Sequence, residues 1–283
     1  MTLPNFVVVG AFKGATTALA ARLAEHPEIY MSPTKETHFF VDDTLYSQGI
    51  ERYMKFFEGH ENQPSIGEAD PSYTRSRRYP SAAARMHDAL PNAKLIYIVR
   101  DPIRRIESHW IEGKRSGYQM LSFDETVNSP NRDIVSTSLY WNELSILRNL
   151  YPDNRIHILF TEDFKSQPNV ELQRCYDFLC VDPNFINTKA ADVVRPSRGA
   201  SMDREWVSKY LRNSPIDPLL KLVTRTAPSS VISTLRPILR QRVVKRPEWN
   251  AETLKKIKST VKPDALMFLD YAGKPSNFWV SID

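Results

Sequence analysis

The sequence is poor in cysteine and glycine. Its 283 residues include two cysteines and nine glycines. Two cysteines cannot build a disulfide framework, and the spacing of Cys175 and Cys180 fits neither a zinc knuckle nor a redox C-x-x-C pair. We expect both cysteines to lie on a helix and to fill hydrophobic core.

Long hydrophobic runs are also lacking. No run approaches the roughly 18 apolar residues of a membrane span, and the chain does not open on a basic segment followed by an apolar core. We therefore expect a soluble, cytoplasmic protein with no transmembrane segment. A peripheral contact with a membrane surface stays open. No cluster of metal-ligand residues is apparent, and we expect no metal.

Positive charge is in slight excess and unevenly placed. The net charge of +5 is compatible with an anionic ligand. The basic residues form three groups: Arg75, Arg77 and Arg78; Arg100, Arg104 and Arg105; and Arg225, Arg236, Arg240, Arg242, Lys245 and Arg246. The third group, region 225–246, is either solvated surface or a binding surface, and the sequence leaves both open.

Apolar runs alternate with helical patterns along most of the chain. Strands are predicted near residues 6–9, 28–31, 65–68, 94–99 and 155–160, and helices over 82–90, 103–114 and 138–150. This alternation predicts an α/β fold with a central parallel sheet flanked by helices. We expect one domain over residues 1–283. The helical and loop-rich region from about residue 195 belongs to that domain.

The first strand leads into a loop suited to an anion. A β-branched run stops at Gly10, and good helix formers begin at Ala18. A strand, a small-residue loop and a helix N-terminus in this order present unpaired N–H groups to an anion. The loop is not a Walker A sequence, because Lys13 precedes Gly14 and Ala15 stands where the Walker lysine belongs. An ordinary surface turn is the alternative.

This loop resembles the 5′-phosphosulfate-binding loop of sulfotransferases that use PAPS, 3′-phosphoadenosine 5′-phosphosulfate. The resemblance implies a three-layer P-loop-like fold of the sulfotransferase type. It also implies that PAPS is bound by Lys13, Gly14, Ala15, Thr16 and Thr17.

A second segment carries the same resemblance. The strand over 94–99 ends in Arg100-Asp101-Pro102, and Ser108 follows eight residues after Arg100. In sulfotransferases such an arginine and serine hold the 3′-phosphate of the cofactor. An arginine fork can give a phosphate two parallel charge-assisted hydrogen bonds. The alternative is that Arg100 pairs with a carboxylate such as Asp101 and that Ser108 faces solvent.

A third segment, residues 35–40, resembles the K-E-x-H-F-F motif of the glycosaminoglycan, or heparan-type, branch of that family. The resemblance implies that Glu36 is the catalytic base. A positioned carboxylate can remove the proton of an acceptor, and His38 can orient the acceptor or share that proton. The alternatives are that Glu36 only pairs with Lys35 and that the two phenylalanines only fill core.

Other segments match more loosely. Residues 67–73 resemble an E-K-[ST]-P-x-Y segment, but Ala69 replaces its lysine, and Val41 replaces an acidic residue that often follows the phenylalanines. Both departures weaken the case for a heparan-like acceptor. The sequence end, from Trp249 to Trp279, resembles the closing helix of the family. A basic cofactor loop is assigned by resemblance to Arg195, Arg198 and Gly199.

The predicted function is transfer of the sulfuryl group from PAPS to a hydroxyl or amine, which leaves 3′,5′-ADP. We expect a soluble bacterial member of the family. A carbohydrate acceptor is favoured, with glycolipid and small metabolite open, and no nucleic acid is expected. The oligomeric state cannot be read. The alternatives are a P-loop kinase, which would need ATP and magnesium, and a non-catalytic module that binds polyanions.

Overall fold

The structure, a computed structural model, describes residues 2–118, 121–129, 133–186, 201–203, 240–242 and 246–283. Five parallel strands form its central sheet in the order β2-β3-β1-β4-β5. They are β1 (Phe6–Gly10), β2 (Ile29–Met31), β3 (Ser65–Ala69), β4 (Lys94–Val99) and β5 (Ile156–Phe160). The predicted α/β fold with a parallel sheet is therefore confirmed.

The described helices are α1 (Thr16–Leu23), α2 (Asp43–Tyr46), α3 (Ile50–Met54), α4 (Ala82–Ala89), α5 (Pro102–Ser116), α6 (Phe123–Asn128), α7 (Asp133–Ser136), α8 (Tyr140–Arg148), α9 (Thr161–Ser166), α10 (Pro168–Leu179) and α11 (Ala251–Tyr271). The helices predicted over residues 82–90, 103–114 and 138–150 correspond to α4, α5 and α8. Short 3₁₀ turns lie at Lys55–Phe57, Pro71–Thr74, Asp153–Arg155 and Val280–Ile282. Proline opens α5 and α10, where its missing N–H would have no helical partner.

Both faces of the central strands are buried, which explains their continuous apolar runs. Ile96 and Ile98 of β4 lie in a core cluster with residues of α1 and α10. Tyr97 points to the other face, since side chains alternate along a strand. There its ring lies 6.2 Å from that of Tyr140 and 6.1 Å from that of Phe268.

The two cysteines behave differently. Cys175 is buried in the core, as predicted, but Cys180 is exposed, so that prediction was wrong for Cys180. The physical reason is the end of α10: Cys180 caps this helix with a left-handed φ of 61°, and the chain turns out of the helix there.

Contacts divide the chain into two compact units. The first comprises Met1–Arg105, Val135–Arg195 and Lys256–Asp283, and it contains the parallel sheet. The second comprises Ile106–Ile134 and Pro196–Lys255. The expectation of one domain over 1–283 stays a prediction.

The second unit has its own small elements. Strands β6 (Ser201–Asp203) and β7 (Arg240–Arg242) pair antiparallel, in a region expected to be helical and loop-rich. In the same unit Trp249 donates from Nε1 to Glu107 Oε1 at 3.1 Å, and its ring lies 4.6 Å from that of Phe123. Most of the basic region 225–246 lies outside the described residues.

Candidate active site

The predicted catalytic and donor-binding residues of the first unit follow strands of one parallel sheet. The loop with Lys13 follows β1, the segment with Glu36 and His38 follows β2, and Arg100 follows β4. The strands are parallel, so these segments leave the sheet at the same edge. That edge is where open α/β sheets bind ligands.

The loop after β1 is tightly shaped. Lys13 and Ala15 have left-handed φ values of 68° and 76°, and Ala15 caps α1. A Cβ on Gly14 would lie 2.4 Å from the carbonyl oxygen of Ile98 and 2.9 Å from that of Ala11. Only glycine fits at position 14 without moving the backbone, so this residue sets the close approach of the loop to β4.

The donors of this loop suit a tetrahedral anion. The amide N–H groups of Ala15, Thr16 and Thr17 make no hydrogen bond within the part of the chain that the structure describes. They lie at the N-terminus of α1, where the helix dipole favours negative charge. The Lys13 ammonium adds a full positive charge, 5.9 Å from the ring centre of Phe12. The residues present therefore fit the phosphosulfate end of PAPS.

Two side chains that support this loop, Arg105 and Thr161, were not predicted from the sequence. Arg105 of α5 is fully buried; its Nη1 donates to the Phe12 carbonyl at 3.4 Å and its Nε to Ser138 Oγ at 2.5 Å. The Thr161 hydroxyl lies 2.8 Å from both the Gly14 and the Val99 carbonyl oxygens. The place of Thr161, directly after β5, was the available signal. The place of Arg105 in a basic cluster of the sequence gives no sign of this role.

Arg100 is half-buried at the end of β4. Its backbone carbonyl accepts a 2.6 Å hydrogen bond from the Tyr140 hydroxyl. Asp101 is engaged elsewhere, because its Oδ1 accepts from the Arg104 N–H at 2.9 Å and from the Ser281 hydroxyl at 2.5 Å. The alternative pairing of Arg100 with Asp101 is therefore wrong, and the guanidinium makes no ion pair with any residue in the described ranges.

Of the remaining residues predicted to bind the donor, the structure describes Ser108. Ser108 lies on α5 in the second unit and is buried, so the alternative that it faces solvent is wrong. Arg195, Arg198 and Gly199 fall outside the described residues, and their role stays a prediction.

The segment after β2 is held in a strained turn. Glu36 and His38 both have a φ of 55°, a conformation that costs a non-glycine residue energy and that clusters at functional sites. Phe39 and Phe40 anchor the turn in the core, and the Phe39 ring stacks on Tyr53 at 4.8 Å. The Glu36 carboxylate stays partly exposed and lies 3.0 Å from the Lys35 ammonium.

A buried carboxyl group supports this turn from β3. Glu68 has no exposed surface, and it accepts hydrogen bonds from the hydroxyls of Thr37 at 2.7 Å, Tyr53 at 2.5 Å and Tyr73 at 2.9 Å. Burial, with the neighbouring charge of Asp70, raises the pKa of Glu68 to about 7. Thr37 lies between the two predicted catalytic residues, so Glu68 helps to fix both.

The raised pKa of Glu68 predicts a pH-dependent stability. The folded state holds the proton more tightly than the unfolded state, so this group lowers the free energy of unfolding as pH rises from about 4.5 to about 7. The full effect is on the order of 3 kcal/mol. We expect Glu68→Gln to remove it, so that the variant gains stability relative to the wild type between about pH 4 and about pH 8. Denaturant unfolding of both proteins across this range measures the difference.

The exposed Glu58 supplies the control for that experiment. Glu58→Gln should follow the wild-type pH dependence. A Glu68→Gln variant whose stability runs parallel to that of the wild type would contradict the assignment.

Asp70, directly after β3, holds the same turn. It is fully buried, and its Oδ2 accepts from the His38 backbone N–H at 2.8 Å and lies 3.1 Å from His38 Nδ1. Its Oδ1 accepts from the Ser72 N–H at 2.9 Å. The hydrogen bond to Asp70 raises the pKa of His38. The sequence reading missed both Glu68 and Asp70 as supports, although Asp70 before Pro71 has the pattern of a helix cap.

Most of the chain is similar to one known protein family. Residues 3–217 match the sulfotransferase domain family. The chain belongs to the sulfotransferase family. Sulfotransferases of this family use PAPS as the sulfate donor. The predicted family is therefore confirmed.

Relatives of this sulfotransferase include eukaryotic enzymes. It is 36% identical over 180 residues to the membrane-associated sulfotransferase kil1 of Dictyostelium discoideum, which covers 60% of this chain and 34% of that protein. It is 30% identical over 194 residues to heparan sulfate glucosamine 3-O-sulfotransferase 5 of Mus musculus, which covers 65% of this chain and 55% of the relative. The chain thus spans a third to about half of the length of these relatives.

Solved structures support the fold. The crystal structure of a sulfotransferase from Alicyclobacillus acidocaldarius superposes with a TM-score of 0.69 at 21% identity, over 99% of this chain and 100% of the other. The sulfotransferase domain from the curacin biosynthetic pathway gives 0.52 at 16% identity, over 92% and 98%. Both superpositions support the predicted fold of the sulfotransferase type.

Neither a metal site nor a membrane-spanning helix is found in the described ranges. No group of three or more histidine, cysteine, aspartate or glutamate residues there could hold a metal ion, and none of the helices there has the length and apolar character of a membrane span. Independence from metal and a cytoplasmic location stay predictions.

Proposed function

We propose that this sulfotransferase moves the sulfuryl group of PAPS to a hydroxyl or amine of a carbohydrate acceptor and releases 3′,5′-ADP. The observation that carries the proposal is the loop after β1. It combines the Lys13 ammonium, the close approach enforced by Gly14 and the outward N–H groups at the start of α1. Such donors, fixed in advance, stabilise charge that develops during transfer.

The donor would be held at two places. Lys13, Gly14, Ala15, Thr16 and Thr17 would hold the phosphosulfate. Arg100 would hold the 3′-phosphate through its fork, with Ser108 on the helix that follows it. By resemblance, Arg195, Arg198 and Gly199 would add to this second place. When bound, PAPS supplies an activated sulfuryl group. The S–O bond that joins this group to the 5′-phosphate would break, and the phosphate would leave with the electron pair of that bond.

The acceptor must lose a proton as its oxygen or nitrogen bonds to sulfur. We assign this proton to the Glu36 carboxylate, which is partly exposed at the edge of the sheet. His38, exposed beside it, would orient the acceptor. Lys13 would neutralise charge on the leaving oxygen.

A carbohydrate is the favoured acceptor. Several relatives are named as heparan sulfate sulfotransferases, and residues 35–40 carry the motif of that branch. Ala69 and Val41 depart from the branch, so glycolipids and small metabolites are retained as second choices.

Transfer of radiolabelled sulfate tests the proposal. The protein is incubated with labelled PAPS and, in turn, with N-sulfated heparan oligosaccharides, a neutral glycolipid and a phenol. We expect label in the oligosaccharide and none with Arg100→Ala. Failure to label any of the three, with phosphate transfer from ATP and magnesium instead, would contradict it.

A further inference from the structure

His38 and Asp70 form a pair with one buried and one exposed end. The Asp70 carboxylate has no exposed surface, whereas the His38 side chain is 47% exposed. Asp70 Oδ2 meets both the backbone N–H and the ring Nδ1 of His38, at 2.8 Å and 3.1 Å. The backbone contact fixes the position of the residue, and the ring contact fixes the plane in which the imidazole can lie.

This arrangement decides which ring nitrogen carries the proton. An ionised carboxylate only accepts hydrogen bonds, so the nitrogen that faces Asp70 must be the N–H donor. In the neutral imidazole the other nitrogen, Nε2, then has a free lone pair. Nδ1 lies against the buried carboxylate, so Nε2 is the nitrogen left for a ligand.

We infer that Asp70 is a positioning residue: it fixes His38 as the Nδ1–H tautomer, so that Nε2 accepts a hydrogen bond from the acceptor substrate beside Glu36. The inference rests on the proposed function for the acceptor, but the tautomer is a property of the protein alone. Val41 and Ala69 lack the polar groups of the related segments. In this chain Asp70 places a carboxylate at the turn.

The pair also sets a pH range for acceptor binding. The charged groups that act on His38 within the described residues are Asp70, Glu36 and Glu68, and Lys35 lies against Glu36. Together the carboxylates raise the pKa of His38 above 6.5, the hydrogen bond to Asp70 being the largest cause. Below that pKa, Nε2 carries a proton and cannot accept from the substrate. Binding of acceptor should therefore weaken as pH falls through the His38 pKa.

Nuclear magnetic resonance of the imidazole nitrogens tests the pair without donor or acceptor. The wild-type protein, Asp70→Asn and a control, Asp42→Asn, are titrated, with His38→Gln to assign the signals. Asp42 is a suitable control because it only caps α2, through the Leu45 N–H at 2.9 Å. We expect the wild-type His38 to show the Nδ1–H tautomer and a pKa above 6.5. Asp70→Asn should lower this pKa and mix the tautomers, whereas Asp42→Asn should not.

An Nε2–H tautomer in the wild-type protein would overturn the inference, and this measurement does not depend on the folding of Asp70→Asn. An unchanged His38 titration in folded Asp70→Asn would overturn it as well.

The role in the reaction is tested with N-sulfated heparan oligosaccharide as acceptor. Asp70→Asn should raise the KM for this acceptor by about tenfold, the loss of roughly one hydrogen bond, and move the acid limb of its pH profile with the His38 pKa. Its kcat should change much less. A fall in kcat alone, or an acid limb that does not move, contradicts the positioning role. If the wild type sulfates no acceptor, the proposed function fails, and the resonance titration still decides the pair.

Discussion

Lys13→Ala lowers kcat for sulfuryl transfer by about a hundredfold or more, the loss expected when one fixed oxyanion donor is removed. The ammonium lies in a loop whose backbone is held by Gly14 against β4. The fold should persist, because Lys13 is only partly buried and lies outside the core cluster. Steady-state kinetics with PAPS and an accepted carbohydrate measures kcat, and circular dichroism shows whether the fold persists.

Lys55→Ala is the matched control. Lys55 is exposed in the short turn Lys55–Phe57, far along the chain from the donor loop. Its removal should leave kcat unchanged. A Lys13→Ala protein that is folded and turns over near the wild-type rate would remove Lys13 from the mechanism.

Glu36→Gln lowers kcat by about a hundredfold to ten thousandfold, the range for loss of a general base. The amide keeps the size of the side chain and cannot take the acceptor proton. The turn around Glu36 is held mainly by Thr37, His38 and the buried phenylalanines, so 3′,5′-ADP should bind as in the wild type. Turnover and a calorimetric titration with 3′,5′-ADP separate the two effects.

The exposed Glu58 again supplies the control, and Glu58→Gln should be active. Loss of 3′,5′-ADP binding together with activity in Glu36→Gln would mean that Glu36 supports the site and does not take the proton.

The sheet and the donor loop could be predicted because their signals are local. β4 is a continuous apolar run, and the structure gives it the predicted bounds of residues 94–99. The loop with Lys13 lies directly after β1, so strand, loop and helix can be read in order from adjacent residues. The parallel arrangement then follows, since successive strands joined by helices run in the same direction within one sheet.

The supports of the site could not be predicted because they join residues far apart in sequence. Glu68 binds Thr37, and Arg105 binds the carbonyl of Phe12, across 31 and 93 residues respectively. A single sequence shows that Glu68 is polar, but not that three hydroxyls surround it. Its raised pKa depends on burial, which arises only in the folded chain, where the hydroxyls of Thr37, Tyr53 and Tyr73 surround the carboxylate.

The exposed Cys180 has a similar explanation. Apolar spacing on α10 predicted a core position for both cysteines, and the helix ends one residue too early for the second. The end is marked by a left-handed residue that is not glycine, so the usual sequence signal for a helix stop was missing.

Thermal unfolding with 3′,5′-ADP, set against ATP with magnesium, tests the central claim most directly, because it needs no known acceptor. At about 100 times its dissociation constant the ligand should add about 2.7 kcal/mol to the free energy of unfolding. We predict stabilisation by 3′,5′-ADP that is lost in Arg100→Ala, with little effect of ATP and magnesium. Stabilisation by ATP and magnesium alone would contradict a PAPS site at this edge of the sheet.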